Sequence, residues 1–432
     1  MTDIKKIAEK TKNLLLSAGA QKAQYTVTEK EKHEFNVDGG EFSLFRTLFD
    51  RSLSITAYKD QKKGSAFTNQ FDDAAVEGAV RDCIKSAESG MADEAFDIAP
   101  VQENEIFREG AYEPDIDLFF RRTKELMADI KERHPKILME QMIVSHDKIH
   151  SVYRNTNGTE FETFEGAYSV SLMFSAHEGE ATTSFFGSGI YTDKLDKPFI
   201  EMGSVEKDLS DTEAQLSTIP VEGKFEGVIV LTPGSLGEFL GSAISNFASD
   251  GVVLEKTSIW LDKLDKQVAD KRLTISMKPG DPRIVCGQRY TADGFRAEDY
   301  DLIKDGVLKS FLLSLYVANK SGFAPAKNTS FSLVIEGSDT PYEDMIGNIK
   351  RGLIIGRFSG GQPGTNGDFS GVAKNSFLVE DGQIKGAVSE TMINGNLADL
   401  LNNLVAISKE TVADGSTVLP YMAFDKVVIS GK

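Results

Sequence analysis

Histidine and cysteine are scarce in this sequence, and their placement excludes more chemistry than any motif supplies. Among 432 residues only Cys83 and Cys286 are cysteines, and the five histidines are His33, His134, His146, His150 and His177. Two thiols cannot form a disulfide framework or a four-thiolate zinc site, and so few in a long chain suit a reducing compartment, so a cytoplasmic location is expected. No histidine follows His177. A Ser-His-Asp or Cys-His triad, or a histidine-based metal site, therefore cannot be assembled from the second half of the chain alone.

Positive charge is short as well. Forty-eight Lys and Arg stand against 66 Asp and Glu, a net charge of −18 at pH 7. Such a surface repels phosphate backbones, so no direct nucleic-acid contact is expected. Long apolar runs are also missing. Nothing approaches the roughly 18 apolar residues of a membrane span, and Leu14-Leu15-Leu16 is too short for the core of a signal peptide. No membrane association follows. Glycine (38) and proline (12) fall well below low-complexity levels, while 40% apolar and 26% charged residues are ordinary for a globular chain. Single cores stop growing near about 250 to 300 residues, so at least two domains are expected.

What is present reads as helix, strands, helix. Ile4, Ile7, Ala8, Thr11, Leu14 and Leu15 recur at helical spacing with lysines opposite. Tyr25 to Asn36, Glu41 to Phe49 and Leu53 to Tyr58 read as strands, and Asp38-Gly39-Gly40 supplies a turn. Asp72 to Ser89 returns to helical spacing. The order recurs at an offset of 119 residues: Gly40-Glu41-Phe42 resembles Thr159-Glu160-Phe161, and Ser52, Leu53 and Ala57 fall on Ser171, Leu172 and Ala176. The first helix then overlies Arg122 to Lys136, and the second copy turns at Asn157-Gly158. An internal duplication is expected.

Residues 193 to 225 are polar and acidic and read as a linker, with the domain boundary near residue 219. A buried strand follows at Gly227 to Leu231. Next come Thr232 as N-cap, Pro233 at the first helical position, and a helix striped with Leu236, Phe239, Leu240, Ala243, Ile244 and Phe247. The remainder is short strands with glycine turns such as Asp305-Gly306 and Asp381-Gly382. The expected fold is α+β in two domains: residues 1–218, a duplicated helix plus antiparallel sheet, and residues 219–432, β-rich.

Candidate metal and phosphate sites fail on spacing. His146 and His150 stand four apart in a strand-like stretch, about 13 Å by the rise per residue, too far to share a metal. His33-Glu34 and His177-Glu178 start like a zinc-peptidase motif, but Val37 and Ala181 replace the second ligand, so surface histidines beside turns are expected. The run Ser359 to Gly367 lacks the Lys-Ser/Thr of a phosphate loop and reads as a structural or substrate-adjacent loop. Glu298, Asp299, Asp301 and Asp305 lack calcium-loop spacing.

From Gly227 through Asn246, with Lys256-Thr257-Ser258, Leu302 to Leu308, Gly367-Asp368-Phe369-Ser370-Gly371 and Ile393-Asn394-Gly395-Asn396-Leu397, the chain resembles the TldD/PmbA family, whose members are also called modulators of DNA gyrase. The resemblance extends over essentially the whole length and is strongest after residue 220. TldD-like members carry His-Glu-x-x-x-His on this helix and a cysteine ligand near the C-terminus. Here those positions read Gly241, Ser242, Ala243, Ile244, Ser245 and Asn246, and no cysteine follows Cys286. Gly241, Ser242 and Asn246 are thus degenerate metal-motif positions. The resemblance places the chain in the PmbA, or TldE-like, branch. It implies a non-catalytic subunit of a zinc metallopeptidase that processes peptides, microcin precursors included, inactive alone and with no catalytic, cofactor or metal residues of its own. Zinc is expected in a TldD-like partner, and a homodimer when the chain is alone. The alternative is a peptide-binding or adaptor homo-oligomer with no protease partner.

Overall fold

The computed structural model describes residues 3–389 and 391–431. Strand dominates, at 42% against 24% helix, and lies in two sheet regions. The first begins with α1 (Ile4–Ser17), opened by Asp3 accepting the Lys5 N–H, with Ile4, Ile7, Ala8, Thr11 and Leu15 buried. β1 (Lys22–Asp38), β2 (Glu41–Lys59), β3 (Lys62–Thr68) and α2 (Asp73–Ser89) complete the first unit. The turn between β1 and β2 is made by Gly39 and Gly40, at φ 58° and 82°, which glycine adopts without steric cost. β4 (Glu105–Gly110) then precedes a second unit of α3 (Ile116–Arg133), β5 (Ile137–Asn155), β6 (Glu160–Glu178), β7 (Ala181–Thr182), β8 (Phe186–Thr192) and α4 (Val205–Ala214).

The duplication is visible in three dimensions. Buried Ile4, Ala8, Thr11 and Leu15 of α1 recur as Phe119, Thr123, Leu126 and Ile130 of α3, each 115 residues later (119 − 4, 130 − 15). The bounds of β2 recur in β6 119 residues later (160 − 41, 178 − 59). The four-residue difference arises around the hairpin tips: β5 has 19 residues against 17 in β1, and four residues follow it before β6 where two follow β1 (19 − 17, 4 − 2). The sheet runs β3-β2-β1-β5-β6-β4, and β8 also pairs with β6. At its centre Lys32 of β1 lies opposite Asp147 of β5, again 115 apart (147 − 32), so a local two-fold axis passes between them.

Each end of the sheet has its own core. α1 and α2 cover Tyr25, Val27, Leu53 and Ile55, and α3 and α4 cover Phe35, Val37, Met142, Val144, Leu172 and Phe174. Phe42 and Phe161 begin equivalent strands, but a β-bulge at Asn36/Val37 turns Phe42 towards Phe120 of α3. Phe161 instead faces Tyr290 of the second region. A bulge of one residue is enough to reverse the face on which a side chain lies.

Two expectations need correction. The stretch read as a linker, 193 to 225, holds a 3₁₀ turn at Phe199–Glu201 and the helix α4, and it buries Phe199, Ile200, Val205 and Leu209 in the second core. His33 does not sit beside a turn. It lies mid-strand in β1, where its ring meets Thr47 Oγ1 at 3.1 Å and Glu31 at 2.9 Å.

In the second region β9 (Thr218–Ile219) pairs with the strand Gln383–Val388, and β10 (Lys224–Leu231) lies parallel to Arg351–Ile355 and antiparallel to Val418–Ser430. α5 (Pro233–Phe247) follows β10 directly. Thr232 caps it, and Leu236, Phe239, Leu240, Ala243, Ile244 and Phe247 are buried on one stripe. That stripe fixes the outward direction of the opposite face.

Candidate functional site

The opposite face of α5 presents Glu238, Gly241, Ser242, Ser245 and Asn246, spaced three and four apart, and these line a cleft of about 490 Å³. All three degenerate motif positions therefore meet in one place. The far wall is the glycine-rich run, with Phe358, Gly360, Gly361, Gln362 and Pro363. The loop, read from sequence as structural or substrate-adjacent, lines this cleft.

Three devices hold the loop against α5. Phe239 packs edge-on to Phe358 and Phe369 with ring centroids 5.3 and 5.1 Å away. Asn246 donates its side-chain amide to the carbonyls of Pro363 and Gly364 at 3.3 and 3.2 Å. Asn396 donates to the Asn366 carbonyl and to Asp368, both at 2.9 Å, while its oxygen accepts N–H groups of Ala398 and Asp399 at the start of the helix Leu397–Asn402. These hydrogen bonds hold the Asp368 carboxyl below the usual carboxylate range. Gly360 and Gly371 face each other across the hairpin, and a Cβ on Gly371 would lie 2.6 Å from the Phe358 ring and 2.7 Å from Gly360 Cα. The Gly367-to-Gly371 and Ile393-to-Leu397 motifs thus act together as the anchor of one wall.

The polar end of the cleft is Glu238. Part of it reaches solvent, yet the protein packed around its carboxyl raises its pKa, and Arg357 nearby opposes that shift only in part. Arg357 is itself pushed down by burial, its guanidinium stacked 4.8 Å from the Phe185 ring of the first region and its Nε without a partner.

The donor set can be tested against a zinc ion. Gly241 offers no donor atom, Ser242 and Ser245 offer neutral hydroxyls, and the Asn246 amide is engaged with the loop. Glu238 alone supplies a carboxylate among the lining residues. Zinc in proteins takes several imidazole, thiolate or carboxylate donors at once, and one carboxylate does not make that set, so these residues do not fit it. Among the described residues no three His, Cys, Asp or Glu side chains converge closely enough to hold a metal. Nor does a serine of the cleft have a histidine or lysine base beside it, which nucleophilic chemistry needs. The arrangement can enclose an extended ligand between a helix face and a loop.

The remaining candidates lie elsewhere. His146 is buried, with Nε2 on the Ala111 carbonyl at 2.8 Å, and burial lowers its pKa. His150 pairs with Glu162 at 3.0 Å and stacks on Phe164. Cys83 is buried on the inner face of α2 against the Gly64 carbonyl, and Cys286 contacts the Gly166 carbonyl at 3.6 Å, its thiol pushed up to about 12 by burial. Glu238 and Ser245 were not singled out from the sequence, although their spacing from Gly241 along the helix carries the signal. Arg357 and Phe358 come from a distant strand and leave none.

Two family models match this chain: PmbA/TldA metallopeptidase domain 1 over residues 27–89 and the PmbA/TldA metallopeptidase C-terminal domain over residues 225–431. Metalloprotease PmbA of Escherichia coli O157:H7 is 27% identical, the alignment covering 91% of this chain and 87% of that one. A zinc metalloprotease TldD homolog of Saccharolobus solfataricus is 23% identical over 66% of this chain and 67% of its own. In fold, TldE from Thermococcus kodakarensis superimposes with a TM-score of 0.85 at 20% identity, covering 98% of this chain and all of that one. A Bacteroides thetaiotaomicron protein named for modulation of DNA gyrase gives 0.87 at 23% identity over the whole of both chains. With both family models matched, a full-length relative and the same fold, this chain belongs to the PmbA/TldD family.

Proposed function

We propose that this chain is the non-catalytic, TldE-like subunit of a two-chain zinc metallopeptidase that acts on flexible peptides in the cytoplasm. The observation that carries the reading is the α5 face: the cleft is kept, with its loop anchored by Asn246, Asn396 and three aromatic rings, while the positions of two imidazoles and the acid/base glutamate hold Gly241, Ser242 and Asn246. Zinc-dependent peptide hydrolysis needs a metal-bound water and a group to take its proton. A TldD-like partner brings both. This chain supplies the second wall of the assembly and no step of the chemistry. Its net charge of −18 gives DNA contact no physical support. Mixing the purified chain with the TldD-like protein of the same genome tests the reading: chelator-sensitive cleavage of unstructured peptides is expected from the mixture and none from this chain alone.

A further inference from the structure

The internal two-fold axis makes one half of the first region a template for the other, and the halves differ at one edge. The first half of β6 is covered on its outer edge by β4, paired in parallel with Glu105 opposite Phe161 through Gly110 opposite Gly166. Beyond that point β8 covers Tyr168 to Phe174. At the 119-residue offset these stretches correspond to Phe42–Thr47 and Phe49–Ile55 of β2 (161 − 119, 166 − 119; 168 − 119, 174 − 119). β3 pairs with β2 only from Leu53 to Lys59. From Glu41 to Ser52, among the described residues, the outer edge of β2 has no partner strand.

The uncovered edge has the character of a binding edge. Phe45 is 55% and Phe49 73% exposed, whereas Tyr168, the equivalent of Phe49, is 3% exposed, its ring packed 4.9 Å from Phe119 of α3. Natural sheets blunt free edges with lysine, proline or β-bulges. The bulge opposite Asn36/Val37 lies ahead of Phe45, leaving Phe45 to Ser52 in regular register with β1, and Glu41 to Ser52 contains no lysine or proline. Its charges cancel, Glu41 and Asp50 against Arg46 and Arg51, on a chain otherwise strongly acidic. An unpaired, aromatic, neutral edge is the surface to which extended peptides add by main-chain hydrogen bonding.

We propose that the edge Glu41–Ser52 captures an extended segment of an unfolded peptide as an added strand running parallel to β2, as β4 does on β6. Only in taking that peptide as substrate does this rest on the function proposed above. The template also gives a preference. Arg108 of β4 stands opposite Phe164 and lays its guanidinium 4.3 Å from that ring. Phe45 is the counterpart of Phe164, so a peptide with arginine or lysine opposite Phe45 is favoured. A second copy does not suit the edge, because two identical edges related by a two-fold run antiparallel while the template is parallel.

The test uses the intact chain alone and a fluorescent peptide copying Asn104 to Ala111, the sequence that pairs with β6. Saturable binding is expected, with slowed amide exchange across residues 42–49. N-methylating one alternate set of peptide amides should abolish binding and the other set should leave it. Phe49→Lys, at a largely exposed ring, should weaken it by about fivefold or more. No saturation by about 1 mM peptide, indifference to which amides are methylated, or edge amides already as protected in the free chain as those of 161–168 would each overturn the proposal. No protease enters the measurement, so a negative result leaves two-chain proteolysis standing, and absent proteolysis leaves the binding result readable.

Discussion

On the proposed reading Asn246 stands where a TldD-like helix places an imidazole; its amide bridges to the carbonyls of Pro363 and Gly364. Restoring the motif by Gly241→His, Ser242→Glu and Asn246→His removes that anchor and still lacks the thiolate. We expect the triple variant to bind no stoichiometric zinc and to cleave nothing, which metal analysis of untagged protein checks. Near one zinc per chain with peptide cleavage would contradict it. A second residue has a pH signature. Burial pushes Glu165 up to about 7, Glu109 adding to the shift and Arg289 opposing it. A carboxyl raised in the folded state costs stability once the unfolded chain ionises, from about pH 4.5 upward, and the cost is complete above about 7. Glu165→Gln should therefore be more stable than wild type at pH 8, by about 1–3 kcal/mol, with the gain vanishing towards pH 4. Denaturant melts at both values decide it. An equal gain at both would show that the effect is not titration.

At the scale of elements, the helix caps and the glycine-lined wall carry most of the site. Asn396 both caps the helix Leu397–Asn402 and ties down Asn366 and Asp368. Asn396→Ala should cost about 1–2 kcal/mol, more than half of it from the lost cap, and should raise amide exchange across 361–367. A variant that loses stability while the loop stays protected would separate the two roles against this account. Much of this was legible beforehand. The stripe of α5, its Thr-Pro start and the turns at Gly39-Gly40 and Asn157-Gly158 follow from periodicity and positive-φ chemistry that need no tertiary partner. α4 was not legible: only Val205, Leu209 and Thr212 are buried among ten largely acidic and polar residues, so its stability comes from the core it meets. β2 read as two strands because Asp50-Arg51-Ser52 interrupts the pattern where the strand passes from its open edge to the part paired with β3. The cleft's helix face could be read from one segment, whereas its loop wall is assembled from strands more than 100 residues away, which spacing along one sequence cannot reveal.

Over the whole molecule the two sheet regions are clasped by charge and aromatic contacts. Arg289 meets Glu109 at 2.5 Å, Arg296 meets Glu105 at 2.7 Å, and Tyr290 stacks with Phe161 at 5.0 Å between centroids. β4, which serves as the template for strand capture, thus also joins the two regions. No helix among the described residues is long and apolar enough to cross a membrane. On the proposed reading this chain acts through association, and alone it should be a homodimer. Light scattering should report twice the 47.3 kDa chain mass at roughly tens of micromolar, and addition of a TldD-like chain should replace that species with a mixed one. The central claim is the division of labour between two chains, and peptide cleavage by this chain, by its TldD-like partner and by their mixture, each with and without a chelator, tests it most directly. The account predicts chelator-sensitive cleavage in the mixture and none from this chain alone; cleavage by this chain alone, free of contaminating protease and at a rate comparable to the mixture, would contradict it.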